Sequence, residues 1–381
     1  MACDRTRDGV PRGRALTVLV DATHLHGASA NRGIGTYLKN LLPRLAAEPD
    51  LDLVGLAPAA TQLPAGVRAR AVARRAPGRW SQREHDLRLP LDLRAAARAE
   101  PVDLVFSPAD DPPRSCPGPY VQMLHDVIPL AVDAPEFAGD AQRWLRVGPR
   151  LQAAAAVCTN SSCTASDATR LLGIDPGRLH VIPLGVDTRF RPDPLRRREE
   201  SPHILYVGEY GPHKGFAEAF AVAAGIAGRG LPHRLSMVGH LAPWHEPAVR
   251  CLLAGAPRPD RVDLTGFVDD VAAAYRAADA LIVTSRYEGF CLPALEAMAC
   301  GTPVVAFDNS AVGETVGDGG VLVRDGDIDA FVDALAVVLS VDEVWRDRSA
   351  RGIARARECT WDRCAAAHAD VFRSVAARPR V

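Results

Sequence analysis

Two glutamates, Glu288 and Glu296, stand eight positions apart in TSRYEGFCLPALEAMACGTPVVAF, the segment from Thr284 to Phe307. A strand ending at Thr284, Gly289 at an unusual bend and Pro293 in the first turn of a helix leave the amides of Phe290, Cys291 and Leu292 at a helix start, which suits a diphosphate. Glu288 precedes that helix and Glu296 lies within its early turns, so one carboxylate can meet a sugar while the other accepts ribose hydroxyls. An isolated pair of this kind reads as two solvated side chains; the neighbouring Gly289, Pro293 and Gly301 favour a site. In YVGEYGPHKGF, Tyr206 to Phe216, Gly208 follows a strand and Lys214 can place a positive charge on a leaving diphosphate, which a divalent cation does elsewhere. His125 and Asp126 follow a strand in MLHDVIPL, where a single histidine is more often structural. In ANRGIGTYLKNLL, Gly33 and Gly35 let a loop approach phosphate and acceptor ahead of a helix.

These loops need strands and helices to hold them. Short β-rich runs alternate with helical patterns along almost the whole chain, the signature of βα units and parallel sheets. Strands are expected at Leu16–Val20, Leu53–Leu56, Val102–Phe106, Tyr120–Leu124, Ala156–Thr159 and Leu179–Ile182, then at His203–Val207, Arg234–Val238, Val262–Leu264, Ala280–Val283, Pro303–Phe307 and Val321–Val323. Tyr37, Leu38, Leu41, Leu42 and Leu45 recur at helical spacing, and Ser161 or Ser162 caps a helix that Gly173 ends. The charged, proline-rich segment from Pro183 to His203 reads as a connection between two domains. The expected division is 1–183, a linker at 184–202, 203–359, and a terminal helix at 360–381 that packs back on the first domain. The fold class is α/β, with two doubly wound, Rossmann-like domains facing a cleft.

Length and composition set the outer bounds. The 381 residues predict two or three cores, and 48% hydrophobic with 24% charged residues is ordinary globular usage. Lys and Arg total 45 against 46 for Asp and Glu, so no global charge draws the chain to nucleic acid. The nine cysteines form no CxxC or other zinc spacing and read as reduced packing residues of a cytoplasmic protein. The polar start and the lack of a long apolar run support neither secretion nor a membrane span. Peripheral membrane contact stays open, because Arg68 to Arg98 holds nine arginines against three acids, a local balance of +6; a solvated surface is the commoner meaning of such a run. Leu38 occupies the third glycine position of a GxGxxG fingerprint, which disfavours a nicotinamide site. Asp325-Gly-Asp327 fits a DxD metal motif in form but opens a helix, where capping explains it better, and His24 and His26 lack further ligands for zinc.

The stretch EGFCLPALEAMACGTPVV resembles the signature EGFGLPxLEAMACGxPVV of the family-four retaining glycosyltransferases of GT-B architecture. HKGF, HDVIPL, RGIGTYLKNLL, TNSSCTASD, IPLGVD and LTGFVDD extend the resemblance from about residue 16 to 375. It implies that Glu288 contacts the donor sugar, Glu296 the ribose, the amides from Phe290 to Leu292 the diphosphate, and Val268 the base. Lys214 stabilises the leaving group, and His125 with Asp126 sits near the reacting sugar. Cys291 stands where the family has glycine, and Glu209 where it has arginine. The implied activity is transfer of a hexose, with its configuration retained and without metal or cofactor, from a GDP-mannose-like or UDP-hexose donor to a glycan, lipid-linked or small-molecule acceptor. HDVIPL leans toward mannosyltransferase-like members. A nucleotide-sugar 2-epimerase and a non-catalytic sugar-nucleotide binding protein are the alternatives.

Overall fold

The computed structural model describes residues 14–27, 30, 33–72, 81–133, 137–196, 198 and 201–379. The chain divides into two compact units, one of Met1–Gly185 with Trp361–Val381 and one of Val186–Thr360.

The first unit holds seven parallel strands: β1 (Leu16–Asp21), β2 (Leu51–Pro58), β3 (Arg68–Val72), β4 (Leu104–Ser107), β5 (Tyr120–Leu124), β6 (Ala156–Thr159) and β7 (Leu179–Val181). Their order is β3-β2-β1-β4-β5-β6-β7, so the winding reverses between β1 and β4. The helices are α1 (Gly33–Leu45), α2 (Ser81–Ala99), the short α3 (Ile128–Ala131), α4 (Ala138–Gln152) and α5 (Ser162–Leu172). Ser161 caps α5 by accepting the amide of Thr164 at 3.1 Å, and Gly173 ends it in the left-handed conformation. Leu89 and Leu93 of α2, Trp144 and Val147 of α4, and Ala168 of α5 share one apolar cluster with the sheet.

The second unit holds β8 (His203–Val207), β9 (Arg234–Val238), β10 (Val262–Gly266), β11 (Ala280–Val283), β12 (Val304–Asp308) and β13 (Val321–Arg324), all parallel, in the order β10-β9-β8-β11-β12-β13. Its winding reverses between β8 and β11, where Ala280 pairs with Ile204 and Leu281 with Leu205. Helices α6 (Phe216–Gly228), α7 (Glu246–Gly255), α8 (Val271–Ala277), α9 (Leu292–Ala299), α10 (Val312–Val316), α11 (Ile328–Ser340) and α12 (Asp342–Glu358) cover it. The near-continuous apolar runs of β8 and β11 are what a strand buried on both faces requires. The last helix, α13 (Trp361–Ala376), belongs to the first unit. The Tyr37 hydroxyl lies 2.7 Å from His368 Nε2, and the rings of Phe106 and Phe372 are 5.2 Å apart.

Two expectations need correction. The described residues of the linker expected at 184–202 belong to the second unit from Val186 onward: Phe190 is buried with its ring edge-on to Tyr275 at 5.9 Å, and Arg196 and Arg198 both pair with the buried Asp279. A charged stretch without periodicity resembles a linker when its partners are distant in sequence. Strand β3 was not among the expected strands, because RARAV leaves its side chains largely exposed at the sheet edge. Arg32 and residues 73–80 of the basic stretch lie outside the described residues.

Candidate functional site

Ligands of doubly wound sheets bind beyond the C-terminal strand ends at the point where the winding reverses. In the second unit that point lies between β8 and β11, and the loops leaving these strands carry Lys214 and Glu288. Lys214 Nζ donates to both carboxylate oxygens of Glu288, each at 2.8 Å, and Ser285 Oγ donates to Oε1 at 2.7 Å. The pair is largely withdrawn from solvent, with side-chain exposures of 24% and 10%. Such a cluster is costly to break from one side, because the remaining charge would be buried without a partner.

The backbone explains why the two loops meet. Gly215 adopts φ +66°, and a β-carbon there would overlap the Thr284 carbonyl oxygen, so glycine permits the close approach. Thr284 Oγ1 donates to the Gly215 carbonyl at 2.7 Å, and the Arg286 amide donates to the His213 carbonyl at 2.8 Å. From the other side, Ser310 Oγ accepts the Glu288 amide at 2.9 Å and donates to Asn309 Oδ1 at 3.1 Å, while Asn309 Nδ2 donates to the Ser285 carbonyl at 2.9 Å. Ser310 holds φ +44°, a strained conformation for a residue with a side chain.

The chain then turns into α9 through Cys291, which is buried and left-handed at φ +72°. This is the backbone geometry glycine takes without strain, and here a cysteine adopts it. Burial pushes its thiol pKa up, and the charge of Glu288 adds to that, so it remains a neutral thiol. Amides in the first turn of α9 precede any intrahelical acceptor, and Pro293 sits in that turn. Within α9, Glu296 Oε2 accepts the Tyr275 hydroxyl at 2.9 Å. Burial pushes the Glu296 carboxyl up to about 7, opposed by the Tyr275 hydrogen bond and the charge of Arg189.

The remaining residues singled out from the sequence are placed as follows. Gly208 follows β8, its amide donating to the Val238 carbonyl at 2.9 Å, and Val268 is half-buried on the loop after β10. In the first unit, His125 Nε2 donates to the Pro108 carbonyl at 2.8 Å, and its ring stands edge-on to Tyr37 at 5.1 Å. Burial pulls its pKa down to about 4, so the imidazole is neutral. Asp126 Oδ1 accepts the Ile128 amide at 3.0 Å and so opens α3, whereas neighbouring Asp110 Oδ1 accepts the His125 amide at 2.8 Å. Burial and then the charge of Asp126 raise the Asp110 pKa. Gly33 and Gly35 were expected in a loop; both belong to the first turn of α1, and Gly35 is buried there. Asp327 accepts the Ala330 amide at 3.1 Å as the cap of α11.

Sequence reasoning did not name Ser285, Tyr275, Asn309, Ser310 or Arg189. Ser285 lies within the glutamate segment and could have been found as the polar residue one turn before Glu288. Tyr275 and Arg189 come from separate segments and Asn309 with Ser310 from the loop after β12, and none carries a local signal.

A lysine–glutamate pair at the reversal point of a parallel sheet, with a second carboxylate on the following helix, stands where doubly wound α/β units bind their ligands. Comparison with known proteins specifies it further. Residues 187–357 match the family Glycosyl transferases group 1, and residues 31–190 match Glycosyltransferase Family 4. The chain belongs to the family-four glycosyltransferases of GT-B fold. D-inositol 3-phosphate glycosyltransferase 2 of Catenulispora acidiphila is 34% identical over 247 residues, covering 58% of this chain and 56% of that protein. The MMP alpha-(1->4)-mannosyltransferase of Mycolicibacterium hassiacum is 35% identical over 227 residues, covering 58% and 54%. The matched part is thus little more than half the length of these relatives. Among solved structures, sucrose-phosphate synthase from Thermosynechococcus elongatus superposes with a TM-score of 0.80 at 22% identity over 94% of this chain and 98% of that one. HepE from Anabaena, in complex with UDP and glucose, does so with 0.71 at 17% identity over 94% and 100%. Both likenesses are in fold.

Proposed function

We propose that this chain is a retaining glycosyltransferase that takes a hexose from a nucleoside diphosphate sugar and passes it to an acceptor hydroxyl. The observation that carries the reading is the Lys214–Glu288–Ser285 cluster at the reversal point of the second sheet, within the EGFCLPALEAMACGTPVV stretch. In this reading the diphosphate lies against Lys214 and the amides from Phe290 to Leu292, Glu288 meets the hexose, Glu296 accepts ribose hydroxyls, and the base lies near Val268 and Gly208. The first unit offers the acceptor side, with His125 and Asp126 at its strand ends.

The free protein already neutralises Lys214 with Glu288, so the incoming diphosphate takes over the ammonium and releases the carboxylate toward the hexose hydroxyls. As the bond between C1 and the phosphate oxygen breaks, Lys214 faces the growing negative charge in a site poor in water, where a fixed cation counts most. The acceptor oxygen bonds to C1 from the same face, and its proton passes to the departing phosphate oxygen. Lys214 and the α9 amides supply the stabilisation that a divalent cation would otherwise give. The relatives named for mannosyl transfer and for D-inositol 3-phosphate support a hexose donor and a hydroxyl acceptor.

The test is incubation with a panel of UDP- and GDP-hexoses, with and without a chelator, following free nucleoside diphosphate and sugar incorporation. Acceptor-dependent release that survives the chelator is expected. Isomerisation of a nucleotide sugar without acceptor would make the protein an epimerase, and donor binding without turnover over a broad acceptor panel would leave it a binding protein.

A further inference from the structure

Tyr37 of α1 and His368 of α13 are both fully buried, yet each carries a polar group into an apolar interior. The Cys364 carbonyl, one turn back in α13, can only accept, so His368 Nδ1 holds the proton and donates to it at 2.8 Å. Nε2 is then the acceptor, and the Tyr37 hydroxyl donates to it at 2.7 Å. Burial keeps both groups in these forms: it pulls the His368 pKa down to about 4 and pushes the Tyr37 pKa up. The rings of Phe106 and Phe372 flank the His368 imidazole at 5.8 and 6.2 Å. The Tyr37 ring in turn meets His125 edge-on, with centroids 5.1 Å apart and planes at 87°. His125 Nε2 donates to the Pro108 carbonyl, which leaves Nδ1 as the lone-pair nitrogen of a half-buried ring. No hydrogen bond to that Nδ1 is made among the described residues.

Phenylalanine and leucine would fill the same interior without desolvating a hydroxyl and an imidazole, and a bond between two such groups returns little net stability. What the pair adds is direction. A hydroxyl anchored to a nitrogen of fixed tautomer stops the phenol ring from sliding or tilting, as a satisfied buried polar pair does. We propose that Tyr37 and His368 are positioning residues for His125, fixing the plane of its imidazole so that Nδ1 stays available to accept a hydrogen bond from a substrate hydroxyl. Turning the ring over would bring Nε2 outward, break the bond to Pro108 and present a donor instead of an acceptor. The inference rests on the reading that puts His125 beside the reacting groups, and it makes the terminal helix α13 part of what shapes the strand ends of the first unit.

The experiment compares single and double variants of the full chain. Tyr37→Phe orphans His368 Nε2 and His368→Leu orphans the hydroxyl, so each should lose stability; the double variant removes both partners and should regain much of it. A role in packing alone would restore turnover along with stability. Positioning would not: the double variant should stay about tenfold below the parent in turnover at saturating donor, with KM for the donor unchanged. In a His125→Ala background the same two substitutions should cost nothing further. Nitrogen NMR spectra of the imidazoles, assigned by the signals that His125→Ala removes, should show His125 protonated on Nε2 in the parent and as a mixture of both tautomers in the double variant. These spectra need no turnover, so a parent without transferase activity would end the proposed function while the tautomer still decided the role of Tyr37 and His368. Parental turnover in the double variant, an undiminished loss in the His125→Ala background, or an unchanged His125 tautomer overturns the inference.

Discussion

At the C-terminal ends of β8 and β11 the chain gathers full charges, Lys214 against Glu288 with Ser285 alongside, whereas at the ends of β4 and β5 it ties down a neutral imidazole, His125 against the Pro108 carbonyl. Both sheets are parallel and reverse their winding at one point, so topology alone would not tell them apart. The difference lies in what burial does to each group. In the second unit a lysine and a glutamate pair with each other while largely withdrawn from solvent. In the first, His125 and His368 lose their protons to burial, and both pKa values fall to about 4. In the proposed function the neutral ring orients a partner, whereas the lysine–glutamate pair is taken over by one.

The largest effect is expected at the charged pair. Lys214→Ala removes the cation and strands the Glu288 carboxylate, and turnover measured as nucleoside diphosphate release should fall by about 10²–10³. Near-normal turnover would remove the contrast between the units. Ser285→Ala leaves the ion pair but removes the second donor to Glu288 Oε1; turnover should drop about tenfold with KM for the donor little changed, as a group aligned for the transition state requires. A change in KM alone would make Ser285 a binding residue.

A smaller effect separates Glu296 from Glu288. Its carboxyl titrates near about 7 when folded and in the ordinary range near 4.5 when unfolded. The folded state therefore holds the extra proton between those values, and stability declines as pH rises through that window. Glu296→Gln, which keeps an acceptor for the Tyr275 hydroxyl, should raise stability above pH 7 by on the order of 1–2 kcal/mol, while weakening nucleotide binding in calorimetry. In the parent protein, affinity should decline as pH falls below 7, because protonation removes the charged acceptor. Equal affinity at pH 6 and 8 would take Glu296 out of the ribose role.

The smallest effect runs the other way in the first unit. His125 and His368 are neutral when folded and must charge when unfolded, so stability is full above their ordinary value of 6.5 and is lost as pH falls from there toward about 4. Peptide-resolved hydrogen exchange should show α1 and α13 opening earlier than β8 and β11 as pH is lowered. The reverse order would contradict the assignment of neutral histidines.

Much of this was legible in local sequence. β5, β6, β8, β9 and β11 have the bounds expected from the sequence, and Gly173 stops α5 by the left-handed conformation it alone adopts cheaply. Glu288, Glu296 and Lys214 were legible because they sit in segments where glycine and proline already constrain the backbone. Tyr275 on α8 and the adjacent Asn309 and Ser310 after β12 were not, since they reach the site from other elements and only the assembled sheet brings them together. Phe190 and Asp279 show the same limit in the connection after the first unit, where pairing across the fold outweighs a composition typical of linkers.

The most direct measurement is a crystal structure of the protein soaked with the nucleotide sugar that supports turnover. The account predicts Lys214 Nζ moved from Glu288 onto the diphosphate, Glu288 on the hexose, and Glu296 on the ribose hydroxyls. A nucleotide seated elsewhere, with the Lys214–Glu288 pair still closed, would contradict it.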